Sequence, residues 1–232
     1  MSEKDHFRSE ITSNMLTDLF KDLFGVGDPF TDFQREYKPT ALKKKGDIEF
    51  EVQWQTKDLE NEGHKVLHVA QNRYGESVMV YRLYHGDGLD DEDITLKVKV
   101  ITKKGVKVPD SNVFLIVDQE NKHMRIADIR IEGNRVNRGY GSIVMGEILK
   151  LAHQLEIKYI TGWISGVDWD HIERSEHFYR KFGFDCVLNH LIKHGTITWV
   201  NEALGATREE LKKLQSSHDN SIRIRNNQSR RI

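Results

Sequence analysis

One cysteine, Cys186, is all the chain possesses, so no disulfide can close within it and a reducing compartment is expected. It follows Gly183-Phe184-Asp185 in a segment with strand character, where a buried structural thiol is expected rather than a nucleophile. No apolar run approaches the ~20 residues that cross a bilayer, and Met1-Ser2-Glu3-Lys4-Asp5 lacks the features of a signal peptide. A cytoplasmic protein without membrane contact is the expectation. Charge of one sign is also missing: the net charge is −1, which gives the chain as a whole no case for non-specific nucleic-acid binding. Apolar residues are scarce, 38% of the 232 positions, and charged ones plentiful at 31%. A moderate core with long solvated ends fits that balance, either as one domain with extensions or with a small companion.

The stretch Asn137-Arg138-Gly139-Tyr140-Gly141-Ser142 stands between two strongly patterned segments. Before it, His123 to Glu132 carries Met124, Ile126, Ile129 and Ile131 with strand-like alternation. After it, Val144, Ile148, Leu151 and Leu155 form one stripe of an amphipathic helix. A glycine turn entering a helix leaves backbone N–H groups unpaired and converging. The positive end of the helix dipole points the same way, so the place favours a phosphate. Arg138 adds a cation. The same residues would also serve a plain strand-to-helix turn that needs small side chains.

Some forty residues on lies Glu176-His177-Phe178-Tyr179-Arg180-Lys181-Phe182-Gly183-Phe184, with the pattern of a helix ending in a C′ glycine. The two motifs together resemble the GNAT superfamily of acetyl-CoA-dependent N-acetyltransferases. Arg138-Gly139-Tyr140-Gly141 is similar to that family's pyrophosphate loop, Gln/Arg-x-x-Gly-x-Gly/Ala. Phe178 to Phe184 is similar to its second coenzyme segment, Phe-Tyr-x-Lys-x-Gly-Phe, and Lys158 to Ile164 to the strand after the loop helix. The resemblance spans roughly residues 110 to 200. It departs from the family pattern at Val136, where Gln or Arg is usual and Arg135 stands one residue out of register. It departs again at Ile172, an Asn position, and at Ser175, an Ala position. The fold implied is α/β (α+β): a GNAT-like acyl-CoA N-acyltransferase fold with a central mixed, mostly antiparallel sheet flanked by helices.

Along the chain, three parts are expected: an N-terminal helical extension and linker (1–45), the acetyltransferase-like domain (46–200), and a C-terminal helix with a basic, disordered tail (201–232). Ile11, Met15, Leu19 and Leu23, widened by Leu16, Phe20 and Phe24, give residues 9–24 an apolar helix face. That face must be covered by the domain, by a second copy in a homodimer, or by another protein. Strands are expected at 48–54, where Ile48, Phe50, Val52 and Trp54 alternate, and at 65–70, 76–84 and 94–102. The apolar run Val113 to Val117 is expected as a central buried strand, and 191–200 as the last core strand. A helix over 171–182 would take Asp170 as its N-cap. Thr207-Arg208-Glu209-Glu210 is a capping box opening a short helix. Asp87, Asp90, Asp91, Glu92 and Asp93 form an acidic hairpin tip, solvated rather than metal-binding. Arg223, Arg225, Arg230 and Arg231 make the tail the one segment suited to nucleic acid or an acidic partner.

The resemblance implies direct acetyl transfer from acetyl-CoA, the cosubstrate, to an amine acceptor whose identity the sequence does not specify. The loop N–H groups of Arg138, Gly139, Tyr140, Gly141 and Ser142 would hold the pyrophosphate. A backbone N–H near Ile129 to Ile131 would polarise the thioester carbonyl. Glu132 is the first candidate for the base that frees the amine, followed by Asp170 and His171. Tyr179 matches the family tyrosine near the coenzyme sulfur and is the candidate proton donor. The alternatives are a non-catalytic CoA-binding module, or an interaction protein acting through the N-terminal helix and basic tail.

Overall fold

The structure is a computed structural model, and it describes residues 39–86, 91–130 and 137–214. The 9–24 helix, most of the linker, Asp87, Asp90, Ile131, Glu132, Arg135, Val136 and the arginine tail lie outside those residues.

The first described element corrects the sequence expectation. Residues 48–54 are not a strand but the start of helix α1, Ile48–Asn61. Asp47 caps it, its carboxylate accepting from the Phe50 N–H at 2.9 Å. The alternation that suggested a strand is satisfied differently. Val52 and Leu59 pack towards the sheet with Met79 and Tyr81, seven residues apart on one helix face. Phe50 and Trp54 lie instead under the ammonium groups of Lys44 and Lys43, at 5.7 and 4.2 Å from the ring centres. A helix that the sequence reading did not expect therefore stands before the first strand.

The strands are β1 (Lys65–Gln71), β2 (Ser77–Leu83), β3 (Asp93–Thr102), β4 (Gly105–Asp118) and β5 (His123–Arg130), an antiparallel meander as expected. Helix α2 (Tyr140–Gln154) then crosses over to β6 (Tyr159–Ile164), which pairs parallel with β5. A 3-10 turn (Gly166–His171), α3 (Ile172–Lys181), β7 (Asp185–Asn189) and β8 (His194–Val200) complete an eight-stranded sheet of order β1-β2-β3-β4-β5-β6-β8-β7. α1 covers Met79 and Tyr81 on one face. On the other, Val144, Met145 and Ile148 of α2 bury completely against Val78, Val80, Leu96, Val113 and Leu115; each such side chain contributes about 1.5–3 kcal/mol.

Two details refine the strand pattern. The register between β4 and β5 slips between Phe114 and Leu115, pairing them with Asp128 and Ile126. That bulge at Ala127 explains why the apolar spacing Met124, Ile126, Ile129 skips a residue: Ile129 still packs on the same core. The run Val113 to Val117 is central in the sheet, yet buried on one face only; Phe114 and Ile116 are exposed. Likewise Leu191 and Ile192 do not begin the last strand but sit in the β7–β8 turn, 92% and 66% exposed.

After β8, Ala206 and Leu211 bury against Tyr159. The capping box forms as expected. Glu210 accepts from the Thr207 N–H at 3.1 Å, and Thr207 Oγ1 from the Glu210 N–H at 3.3 Å.

Candidate active site

The parallel ladder runs from His123–Tyr159 to Ile126–Gly162. Beyond it β5 continues to Arg130 along β4, and β6 to Ile164 along β8. Ile129 therefore lies on β5 past the ladder with β6, at the end of the strand that leads towards the glycine turn.

That turn is built from two left-handed residues. Asn137 has φ +60° and Gly139, the N-cap of α2, φ +86°; asparagine and glycine are the residues that adopt this region most readily. No side chain caps α2, so the first-turn N–H groups of Tyr140, Gly141 and Ser142 face outward from the helix end. A cleft of about 690 Å³ opens there, lined by Gln71, Asn72, Arg73, Arg138, Ser142 and Lys181 among others. Lys181 comes from the last turn of α3, its Nζ 3.5 Å from Ser142 Oγ. α3 ends as its sequence predicts: Gly183 has φ +81° and the Phe184 N–H donates to Tyr179 O at 3.1 Å. The structure thus brings the end of the second motif onto the first.

The β1–β2 turn forms the other wall, which sequence reasoning missed. Arg73 Nη2 donates to Asn137 O at 3.0 Å, and Asn72 Nδ2 to Arg138 O at 3.2 Å, across 66 positions of chain. Both guanidinium groups lie over the Tyr74 ring, Arg73 at 4.9 Å and Arg138 at 5.1 Å. Beneath the turn is Glu76, whose carboxylate accepts from Tyr140 OH at 2.5 Å and Asn72 Nδ2 at 2.7 Å. It also pairs with Lys107 at 3.0 Å and Arg138 at 3.1 Å. Burial pushes its pKa up, but the hydrogen bonds from Tyr140, Asn72 and Lys107 outweigh burial and hold it below the usual carboxylate range. Arg138 is therefore not aimed only at the cleft, as the sequence suggested. The Tyr140 side chain is fully buried, with its hydroxyl on Glu76. Only the flanking strands were expected from the sequence; the contact of this turn with a loop so distant in the chain was not.

Tyr179, one turn from the end of α3, is half-buried, edge-on to Phe178 at 5.3 Å and near Phe184 at 5.7 Å. Asp170 and His171 are both exposed, and Asp170 is not the cap of α3. His171 occupies that position, without a side-chain capping bond. Trp169 stacks edge-on against His190 of the β7–β8 turn at 5.3 Å. Cys186 is buried, and burial raises its thiol pKa. No described helix is long and apolar enough to cross a membrane.

No family model matches the chain. Uncharacterized protein YocC of Bacillus subtilis (strain 168) is 29% identical over 158 residues, covering 67% of this chain and 89% of that protein. Among solved structures, a GNAT family acetyltransferase from Elizabethkingia anophelis with acetyl-CoA bound is similar at a TM-score of 0.39 and 12% identity, covering 53% of this chain and 98% of that one. Spermidine N-acetyltransferase from Vibrio cholerae, in complex with CoA and spermine, is similar at a TM-score of 0.39 and 13% identity, covering 50% and 69%. The described residues themselves form an antiparallel meander, a glycine turn into a crossover helix and a parallel return strand.

Proposed function

We propose that the chain is an N-acetyltransferase that moves an acetyl group from acetyl-CoA directly to an amine acceptor. The observation that carries the reading is the uncapped N-terminus of α2, with Gly139 left-handed and Arg73, Arg138 and Lys181 gathered round one cleft. Backbone donors, a helix dipole and cations in one place suit a pyrophosphate. Bound acetyl-CoA would supply a thioester carbonyl carbon open to an amine and a thiolate leaving group. The chain supplies the rest. The N–H groups of residues 138 to 142 hold the phosphates, and a backbone N–H between Ile129 and Ile131 polarises the carbonyl oxygen. Glu132 takes a proton from the amine, and Tyr179 holds the one that the departing sulfur needs.

Calorimetric titration of the purified protein with acetyl-CoA tests the reading. Micromolar binding is expected for the wild type, lost in Gly139→Val, where a β-branched side chain at φ +86° costs about 1–3 kcal/mol of backbone strain, and in Gly141→Val. Unchanged affinity in both variants removes the phosphate-loop assignment. In an amine screen, Tyr179→Phe should slow transfer by roughly 10²-fold with little change in coenzyme affinity; an unaltered rate removes it as donor. Binding without acetylation of any amine leaves a CoA-binding module in place of the enzyme.

A further inference from the structure

A carboxylate beside an anion site is unfavourable by simple electrostatics, since it repels the phosphate it adjoins. Glu76 is nevertheless buried there, its side chain only 9% exposed. Its partners are specific: Tyr140 and Arg138, the two residues that flank Gly139, together with Lys107 and Asn72. Asn72 in turn uses its amide oxygen to accept from the N–H groups of Tyr74 and Glu76, and its amide nitrogen to reach Arg138 O. One acid thus connects the β1–β2 turn, β4 and both sides of the N-cap glycine.

We infer that Glu76 is a positioning residue for the glycine loop: its carboxylate anchors Tyr140 and Arg138, and so fixes the N–H groups of residues 139–142 in the orientation that receives a phosphate. The inference rests on the proposed coenzyme reading of this cleft. Lys107 and Arg138 neutralise the acid, so one carboxylate and two cations leave a net positive cluster and the anion is still favoured. Oriented backbone donors are worth most when they need no reorganisation on binding.

The test exploits the conflict between charge and position. Glu76→Gln removes a negative charge next to the anion site, so electrostatics alone predicts tighter CoA binding; positioning predicts weaker. Calorimetric titration of the full chain with CoA should show Glu76→Gln at least tenfold weaker than wild type. Amide hydrogen exchange should be faster at residues 143–146, whose N–H groups are the first bonded within α2, and unchanged along the β2–β3 ladder. Equal or tighter binding overturns the inference, and so does weaker binding with unaltered loop exchange. If the wild type itself fails to bind CoA, the coenzyme reading falls, while the exchange comparison still decides whether Glu76 holds the loop. Should Glu76→Gln not fold, Tyr140→Phe removes a single bond to the carboxylate and is measured the same way; unaltered exchange at 143–146 and unaltered affinity overturn the inference.

Discussion

Glu76 and Asp110 are buried carboxylates on opposite faces of one sheet, with closely similar neighbours. Glu76, on the α2 face, accepts from Tyr140 OH and pairs with Lys107 at 3.0 Å; Asp110, on the α1 face, accepts from Tyr81 OH at 2.7 Å and pairs with Lys99 at 2.9 Å. Both acids are 9% exposed. They differ in completeness. Glu76 has two further donors, Asn72 and Arg138, whereas Asp110 Oδ1 is buried without a hydrogen-bond partner. Equal burial therefore does not mean equal roles. A buried carboxylate with redundant donors tolerates the loss of one of them but not its own removal, and a carboxylate with few donors depends on each.

The largest effect expected is at Glu76 itself. Glu76→Ala leaves the Tyr140 hydroxyl buried without its acceptor and Lys107 without its counter-charge, a loss of about 3–5 kcal/mol at neutral pH of the kind that follows breaking a buried pair. Urea unfolding measures it; a loss below that of Asp110→Ala would reverse the ranking of the two clusters. Next comes Tyr81→Phe, which takes from Asp110 one of its two partners and should cost about 1.5–3 kcal/mol, the range for hydrogen bonds to charged groups. Burial first, and then the charge of Asp110, raise the Tyr81 phenol well above its usual value, so the hydroxyl stays a donor throughout the working pH range.

This contrast explains what the sequence could disclose. The loop at 137–142 and its helix were legible because glycine, an amphipathic stripe and a preceding strand are local signals, and the fold class followed from their order. Lys181 was legible within the second motif. Asn72, Arg73 and Glu76 were not, because a turn residue gives no sign of the partner it meets more than sixty positions away. α1 was misread for the opposite reason. Its alternation of Ile48, Phe50, Val52 and Trp54 is a true local pattern, but Asp47 caps a helix there and two lysines cover the off-face aromatic rings. Tertiary contact decided between two periods that the same residues satisfy.

The pH dependence separates the clusters further. The Glu76 pKa is depressed below its ordinary 4.5. The stability it contributes is therefore fully present above that value and lost as pH falls through the lower folded value. The stability gap between wild type and Glu76→Gln should be full at pH 7 and close under acid conditions below the ordinary value. Urea midpoints of both proteins across the acid range give this difference directly, since titration of the other carboxylates cancels between them. A gap that widened on acidification would mean that Glu76 is held protonated, and its ion pairs with Lys107 and Arg138 would not be what stabilises the turn.

The smallest effect expected is the sharpest probe of redundancy. Tyr140→Phe deletes the short bond to Glu76 and keeps the buried ring, so no cavity larger than a hydroxyl is opened. Asn72, Lys107 and Arg138 remain to satisfy the carboxylate, and the loss should be about 0.5–1.5 kcal/mol, less than for Tyr81→Phe on the opposite face. Both changes delete a buried phenol that donates to a carboxylate, but Tyr140→Phe also removes the hydroxyl that accepts from Lys107 Nζ at 3.0 Å, whereas Lys99 lies over the Tyr81 ring at 5.9 Å. A lower cost at Tyr140 in spite of that extra bond then measures the remaining donors of Glu76. Equal costs would mean that the two extra donors of Glu76 do no more than offset the lost Lys107 bond, and that their main effect is to hold the residues on either side of Gly139.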